Sequence, residues 1–364
     1  MKIELMIYTY IAICISMIAY NIVYIFILRH REKALTSDSE HLKKLIAHQL
    51  ETDTVDEKHQ RFLRKKLQRT NYITAFDKAL EQLHQERPEA VGQYLSRYFS
   101  VFSYLTEKYL TKDTLKIAYF PYLLHKYEIL RYGEPESVTE MLYDLLRSVN
   151  IYCRENTLKA LYSLQDAEVV VRALQIMDKN LSFHHPKLIC DGLMEFHGDK
   201  DALKDALLRT FEGYSVEMRL NIVNYFRFGN IRCDELMEAL LTDEKADAEL
   251  RYSAIRYFEK FPSESVREFL QQLSENKEGR NWEYQAIASS ALKSYPGDVT
   301  FRILVQNLSN RQWHVRQNSA ISCEKLGYTY HDLLQVFDGN DRYAREIMRY
   351  RLDRKRSEET AVKA

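Results

Sequence analysis

CRENTLKALYSLQD from Cys153, PKLICDGLMEFHGD from Pro186, MRLNIVNYFRFGN from Met218, LRYSAIRYFEKFP from Leu250, YQAIASSALKSYP from Tyr284, VRQNSAISCEKLG from Val315 and AREIMRYRL from Ala344 share one register. Their second residue is a long polar side chain: Arg154, Lys187, Arg219, Arg251, Gln285, Arg316 and Arg345, at successive gaps of 33, 32, 32, 34, 31 and 29. Seven residues after the first six anchors stand Leu161, Met194, Phe226, Phe258, Leu292 and Cys323, all apolar. Six residues after them come Ala160, Leu193, Tyr225, Tyr257, Ala291 and Ser322. A chain breaker follows ten or eleven residues after five of the anchors: Gly198, Gly229, Pro262, Pro296 and Gly327. Each anchor therefore opens a helix of about four turns that buries one stripe and ends at Gly or Pro. A second helical pattern lies between anchors, as in Asp201–Leu208 and Ser265–Leu273. Two antiparallel helices per repeat predict an all-α fold, an α-solenoid of stacked helical hairpins.

Two segments carry a resemblance: Trp313-His314-Val315-Arg316-Gln317-Asn318-Ser319-Ala320, ending in Leu326-Gly327, and Asp247-Ala248-Glu249-Leu250-Arg251-Tyr252-Ser253-Ala254-Ile255. Both resemble the HEAT-like, armadillo-type helical repeat family, in the form of membrane-anchored bacterial-type HEAT repeat proteins. An acidic or Asn turn precedes a valine or leucine, then an arginine, then small residues where helices touch. The resemblance covers residues 150 to 350 and is specific for architecture. It implies a scaffold or adaptor; a few enzymes, such as DNA glycosylases and bilin lyases, share such repeats, so the fold does not transfer a function. The recurring polar anchors, with Glu217, Glu249 and Glu283 two positions before three of them, read as polar ties between hairpins rather than as a basic ladder for anions.

Composition agrees. Ten glycines and six prolines make up about 4% of 364 residues, where roughly 12% is usual, which argues against turn-rich sandwiches, barrels and glycine-dependent nucleotide folds. Lys+Arg and Asp+Glu are equal at 52 each, so no global field marks a nucleic-acid binder. Five scattered cysteines without a C-x-x-C pair fit a reducing compartment and small apolar fillers.

From Leu5 to Leu28 run 24 uncharged residues, bounded by Glu4 and Arg29. As a helix they span roughly 36 Å, enough for a hydrocarbon core of about 30 Å. No cleavage-site pattern follows, so a retained transmembrane anchor is expected rather than a signal peptide. Arg29, Arg31, Lys33, Lys43 and Lys44 lie after it. Positive charge on that side predicts a single-pass cell-membrane protein with the N-terminus outside and the repeats cytoplasmic. Tyr10, Cys14, Met17, Asn21 and Tyr24 share one anchor face, which either packs on another membrane helix or only positions the anchor. The expected organisation is a 5–28 anchor, a 29–70 charged juxtamembrane helical segment, 71–149 degenerate helical repeats, 150–352 HEAT-like repeats and a 353–364 flexible polar tail.

Motifs for chemistry are missing. P-loop, G-x-S-x-G, G-x-G-x-x-G and H-E-x-x-H patterns do not occur, so no catalytic residue, cofactor or metal is assigned. The cluster Phe183–His197 holds His184, His185, Asp191 and Glu195 without a ligand spacing. Trp282 and Trp313 sit three residues before adjacent anchors, where they either plug the core between repeats or form an aromatic pair on a binding face. The stretch Asp341–Arg356, with Arg349, Arg351 and Arg354, either docks an acidic protein or the inner-leaflet lipid, or is the polar face of a terminal cap. The expectation is a non-enzymatic membrane-tethered scaffold or regulatory subunit whose partners are proteins, including a membrane protein. Its client by analogy is a membrane-bound glycosyltransferase or polysaccharide system; the alternative is an enzyme on the same repeats.

Overall fold

The computed structural model describes residues 2–110, 117–180, 185–277, 279 and 281–363, and among them every regular element is a helix. The chain divides into two compact units, Met1–His184 with Glu195–Ala206, and His185–Met194 with Leu207–Ala364. The boundary drawn at residue 150 from sequence thus falls inside the first unit.

In the first unit α1 (Lys2–Leu50) is one helix of 49 residues. The first proline or glycine in the chain is Pro88, so nothing in this stretch breaks the backbone hydrogen bonding. Among the described residues α1 is the one helix long and apolar enough to cross a membrane. From Ile7 to Leu28 its side chains are exposed, Cys14 partly so. Further on, Ser39, Leu42, Ile46 and Gln49 form a buried stripe at helical spacing. This stripe packs on α3 (Thr70–Glu86) and α4 (Pro88–Arg97).

The charged juxtamembrane segment expected over 29–70 is therefore neither one continuous helix nor exposed throughout. It is interrupted between α1 and α2 (Glu57–Lys66), and it buries Leu42, Ile46, His59, Leu63 and Leu67. The carboxylate of Asp56 starts α2 by accepting from Lys58 N–H at 2.8 Å. The end of α1 is held by the Tyr98 hydroxyl, which donates to Gln49 Oε1 at 2.8 Å and accepts from Asp56 N–H at 3.0 Å. His59 Nε2 lies in hydrogen-bond contact with the Tyr94 hydroxyl at 2.9 Å.

The remaining helices of this unit are α5 (Phe99–Leu110), α6 (Tyr119–Lys126), α7 (Glu136–Leu145), α8 (Ile151–Tyr162) and α9 (Ala167–Lys179). Buried Asp77 on α3 joins α6 to the core, accepting from Tyr119 at 2.6 Å, Lys126 at 2.9 Å and Tyr127 at 2.8 Å. A carboxylate so enclosed is tolerable only with such partners.

In the second unit α10 (Pro186–Met194), α12 (Val216–Phe228), α14 (Ala248–Lys260), α16 (Trp282–Ala291), α18 (Trp313–Lys325) and α20 (Arg342–Lys363) pack each against the one before. Between them lie α13 (Asp234–Thr242), α15 (Arg267–Glu275), α17 (Asp298–Asn307) and the short α19 (Leu334–Phe337), while α11 (Lys200–Thr210) has residues in both units. The anchors Arg219, Arg251, Gln285, Arg316 and Arg345 each fall on the fourth residue of their helix. The position six residues beyond the anchor is buried in the first six repeats. The next position is also buried in them, except Met194, which is 42% exposed because α10 ends there. Gly327, after α18, adopts a left-handed φ of 83°, the conformation that lets the chain leave a helix most easily when it has no Cβ. The final helix continues to Lys363, so residues 353–363 extend α20 rather than forming a loose tail.

Tyrosine hydroxyls tie neighbouring repeats through backbone groups. Tyr257 accepts from Cys233 N–H at 2.8 Å and donates to Asp234 Oδ1 at 2.6 Å at the start of α13. One repeat later, Tyr295 accepts from Ser263 N–H at 3.2 Å and donates to the Phe258 carbonyl at 3.0 Å.

Replacing Tyr257 by Phe removes the hydroxyl that accepts from Cys233 N–H and donates to Asp234, and thermal unfolding should register a loss of about 2 kcal/mol. A second expectation concerns pH. Burial pushes the His59 imidazole from its ordinary 6.5 down to about 4, so the folded chain holds it neutral. Between those values the unfolded chain binds a proton that the folded chain does not, and stability falls as pH drops from 6.5 towards 4. His59→Gln should flatten the urea-midpoint profile across that window.

Candidate functional site

The fourth-residue side chain of these helices reaches backwards, and this sets the surface of the repeats. Arg154 donates to the Ser148 carbonyl at 2.7 Å, Arg251 to Leu241 at 3.3 Å, and Gln285 to Ser274 at 3.0 Å. Arg316 and Arg345 donate to the carbonyls of Asn310 and Gly339. Each target lies at or just past the carbonyl end of the preceding helix, where backbone acceptors lack intrahelical donors. The predicted acidic neighbours Glu217, Glu249 and Glu283 take no part; Arg219 instead pairs with Glu212 at 3.1 Å. Arg316 also reaches Asp341 of the next repeat at 3.4 Å.

With the anchors turned inward, positions two, five, eight and nine residues beyond the anchors Arg219, Arg251, Gln285 and Arg316 supply the lining of a groove of about 650 Å³ in the second unit, bounded by Arg227, Phe228, Arg256, Glu259, Lys260, Ile287, Ser290 and Asn318. Glu259 is engaged by Lys293 at 2.5 Å and by the Ser290 hydroxyl at 3.0 Å. Lys260 donates to the Arg227 carbonyl at 2.6 Å. The Arg227 guanidinium donates to the neutral Asn224 side chain at 3.2 Å, and its Nε is buried without a partner. Burial first, and then the positive Arg256, hold Arg227 below the usual arginine range. Arg256 makes no hydrogen bond or ion pair with another described residue. This groove was missed in the sequence, although its signal was present: Arg227 and Arg256 sit at fixed offsets of eight and five residues from aligned anchors.

Trp282 and Trp313 do come together, through His314. Trp282 stacks on His314 with centroids 5.3 Å apart and planes 13° apart, and Trp313 meets the same imidazole edge-on at 5.1 Å. Trp313 is 60% exposed and Trp282 half-buried, so the pair does not plug the core between repeats. The reason is position: both open their helices, one turn ahead of the inward-facing anchor.

The basic C-terminal helix also differs from a free docking strip. Glu324 on α18 is only 6% exposed, and it pairs with Arg351 at 3.3 Å and Arg354 at 3.4 Å. These two arginines hold α20 against α18, and of the three named only Arg349 is left exposed without an ion pair to a described residue. On α1, Asn21 and Tyr24 are both exposed; Tyr24 stacks on Tyr20 at 6.1 Å. The histidine-rich cluster does not assemble: His185, Asp191 and Glu195 are exposed, and Phe183 and His184 lie outside the described residues. The described thiols are all free of disulfides.

No protein-family model matches the chain, and no curated protein matches it by sequence. Among solved structures, human deoxyhypusine hydroxylase in complex with glycerol is similar over 82% of this chain and 96% of its own, at 14% identity and a TM-score of 0.28. A likeness that loose transfers neither fold nor chemistry.

Neutralising Glu324 as Gln should loosen the last helix. Amide exchange across residues 342–352 is expected to speed up several-fold, while Arg349→Ala leaves it unchanged.

Proposed function

We propose that the chain is a membrane-tethered scaffold or regulatory subunit with a HEAT-like α-solenoid on the cytoplasmic side of a single N-out anchor. The supporting observation is α1 itself. Its apolar half is left exposed, and the same helix enters the core of the first unit through Leu42 and Ile46. A long apolar helix left uncovered suits lipid. The basic residues from Arg29 to Lys44 favour a cytoplasmic position for the two helical units. The function is then positional: the anchor concentrates the helical surface near a membrane client, and the surface holds a protein.

Within this reading, Asn21 and Tyr24 face a neighbouring membrane helix, because an amide in hydrocarbon gains from a partner by about 1 kcal/mol. Mild-detergent co-purification of the intact chain against the Asn21→Leu, Tyr24→Leu double variant tests both parts. Loss of membrane proteins with retention of soluble ones is expected from the variant. Identical partner sets remove the transmembrane contact, and no stable partner with either chain removes the scaffold.

A further inference from the structure

We propose that the groove of the second unit receives an acidic segment of a partner protein, with partner carboxylates on Arg227 and Arg256 and an apolar partner side chain against Phe228 and Ile287. The inference rests on the scaffold reading and supplies the chemistry of the partner.

The whole chain is electrically balanced, yet Arg227, Arg256, Lys260 and Lys293 gather here around the single carboxylate of Glu259. Lys293 takes up that carboxylate, and although Glu259 also attracts Arg227, whose guanidinium lies 4.4 Å over the Phe228 ring, four cations here share one anion and positive charge is left in excess. Such groups offer planar forks of N–H donors that match carboxylate oxygens. Crowding two arginines is unfavourable without an anion, and a bound carboxylate converts that repulsion into attraction. Phe228, 54% exposed, and the half-buried Ile287 give the same groove an apolar wall that a lone inorganic anion would not use.

Geometry also favours a polypeptide. Arg227 lies on α12 and Arg256 on α14, helices in direct contact. Packed helices stand about 8–10 Å apart, and an extended chain advances about 3.3–3.6 Å per residue. Acidic residues about three positions apart would therefore meet successive helices.

The probe is a fluorescein-labelled decapeptide with glutamate at every third position and one phenylalanine, titrated by fluorescence polarisation with the full chain in detergent micelles. The glutamate peptide should bind at least tenfold more tightly than its glutamine counterpart, and added salt should weaken it. Arg256→Glu should abolish the preference, and Arg256→Gln, which keeps two N–H donors but not the charge, should weaken binding several-fold. Arg61→Glu, at an exposed site in the first unit, should change nothing, and circular dichroism should show each variant folded. Equal affinity of the two peptides, unchanged binding by Arg256→Glu, or complete displacement by millimolar inorganic phosphate would each overturn the proposal. A chain that binds the glutamate peptide yet returns no partner from membranes would overturn the scaffold reading and leave the groove assignment standing.

Discussion

A side chain in the first turn of one helix reaching back to the carbonyl end of the helix before it is the contact on which the repeats depend. Arg251 and Gln285 are nearly buried while doing so. Their donors satisfy carbonyls that would otherwise face the interior unpaired, a loss of about 1–3 kcal/mol at each site. Gln285 shows that the requirement is for donors and reach rather than for charge. Its amide serves Ser274, and Asn307 and Ser289 complete a closed polar cluster around it. Because the anchor fixes the azimuth of each helix, it also decides which residues are turned outward into the groove.

The tyrosines perform a second, related task. Tyr94, Tyr98, Tyr109, Tyr225, Tyr257 and Tyr295 are among the largest fully buried side chains. A tyrosine buries a large apolar ring and still carries a donor and acceptor at its tip, so it can fill space between helices and service a loop. Of the described hydroxyls, those of Tyr98, Tyr257 and Tyr295 each both donate and accept at the junction between helices.

The features legible in the sequence were those that recur along one helix. The helical class, the position of each anchor and the buried stripes six and seven residues beyond it come from periodicity, which reports burial directly. Contacts that depend on partners about thirty residues away were opaque. Glu324 could not be matched to Arg351 and Arg354 without the phases of α18 and α20, and the exposure of Trp313 depends on how its helix enters the unit. The limit of the anchor was similarly hidden. Hydropathy drops at Arg29, but backbone hydrogen bonding does not, so a change of solvent preference was read as a boundary between elements. The groove cations were visible as letters, but they stand at different offsets from their anchors, eight residues for Arg227 and five for Arg256, and only the packing of their helices brings them to one groove.

The continuity of α1 has a mechanical consequence. Between Arg29 and Ser39, where the buried stripe begins, the helix has no hinge, and ten residues of helix advance about 15 Å. On the membrane reading, the first unit is carried on a stiff shaft instead of a leash. Its height above the bilayer is then fixed, and its heading is geared to the face that Asn21 presents below: each residue of helix turns the shaft by about 100°. Torque on the anchor would pass into the first unit without slack. The length of that short shaft sets the compass bearing of everything the unit holds.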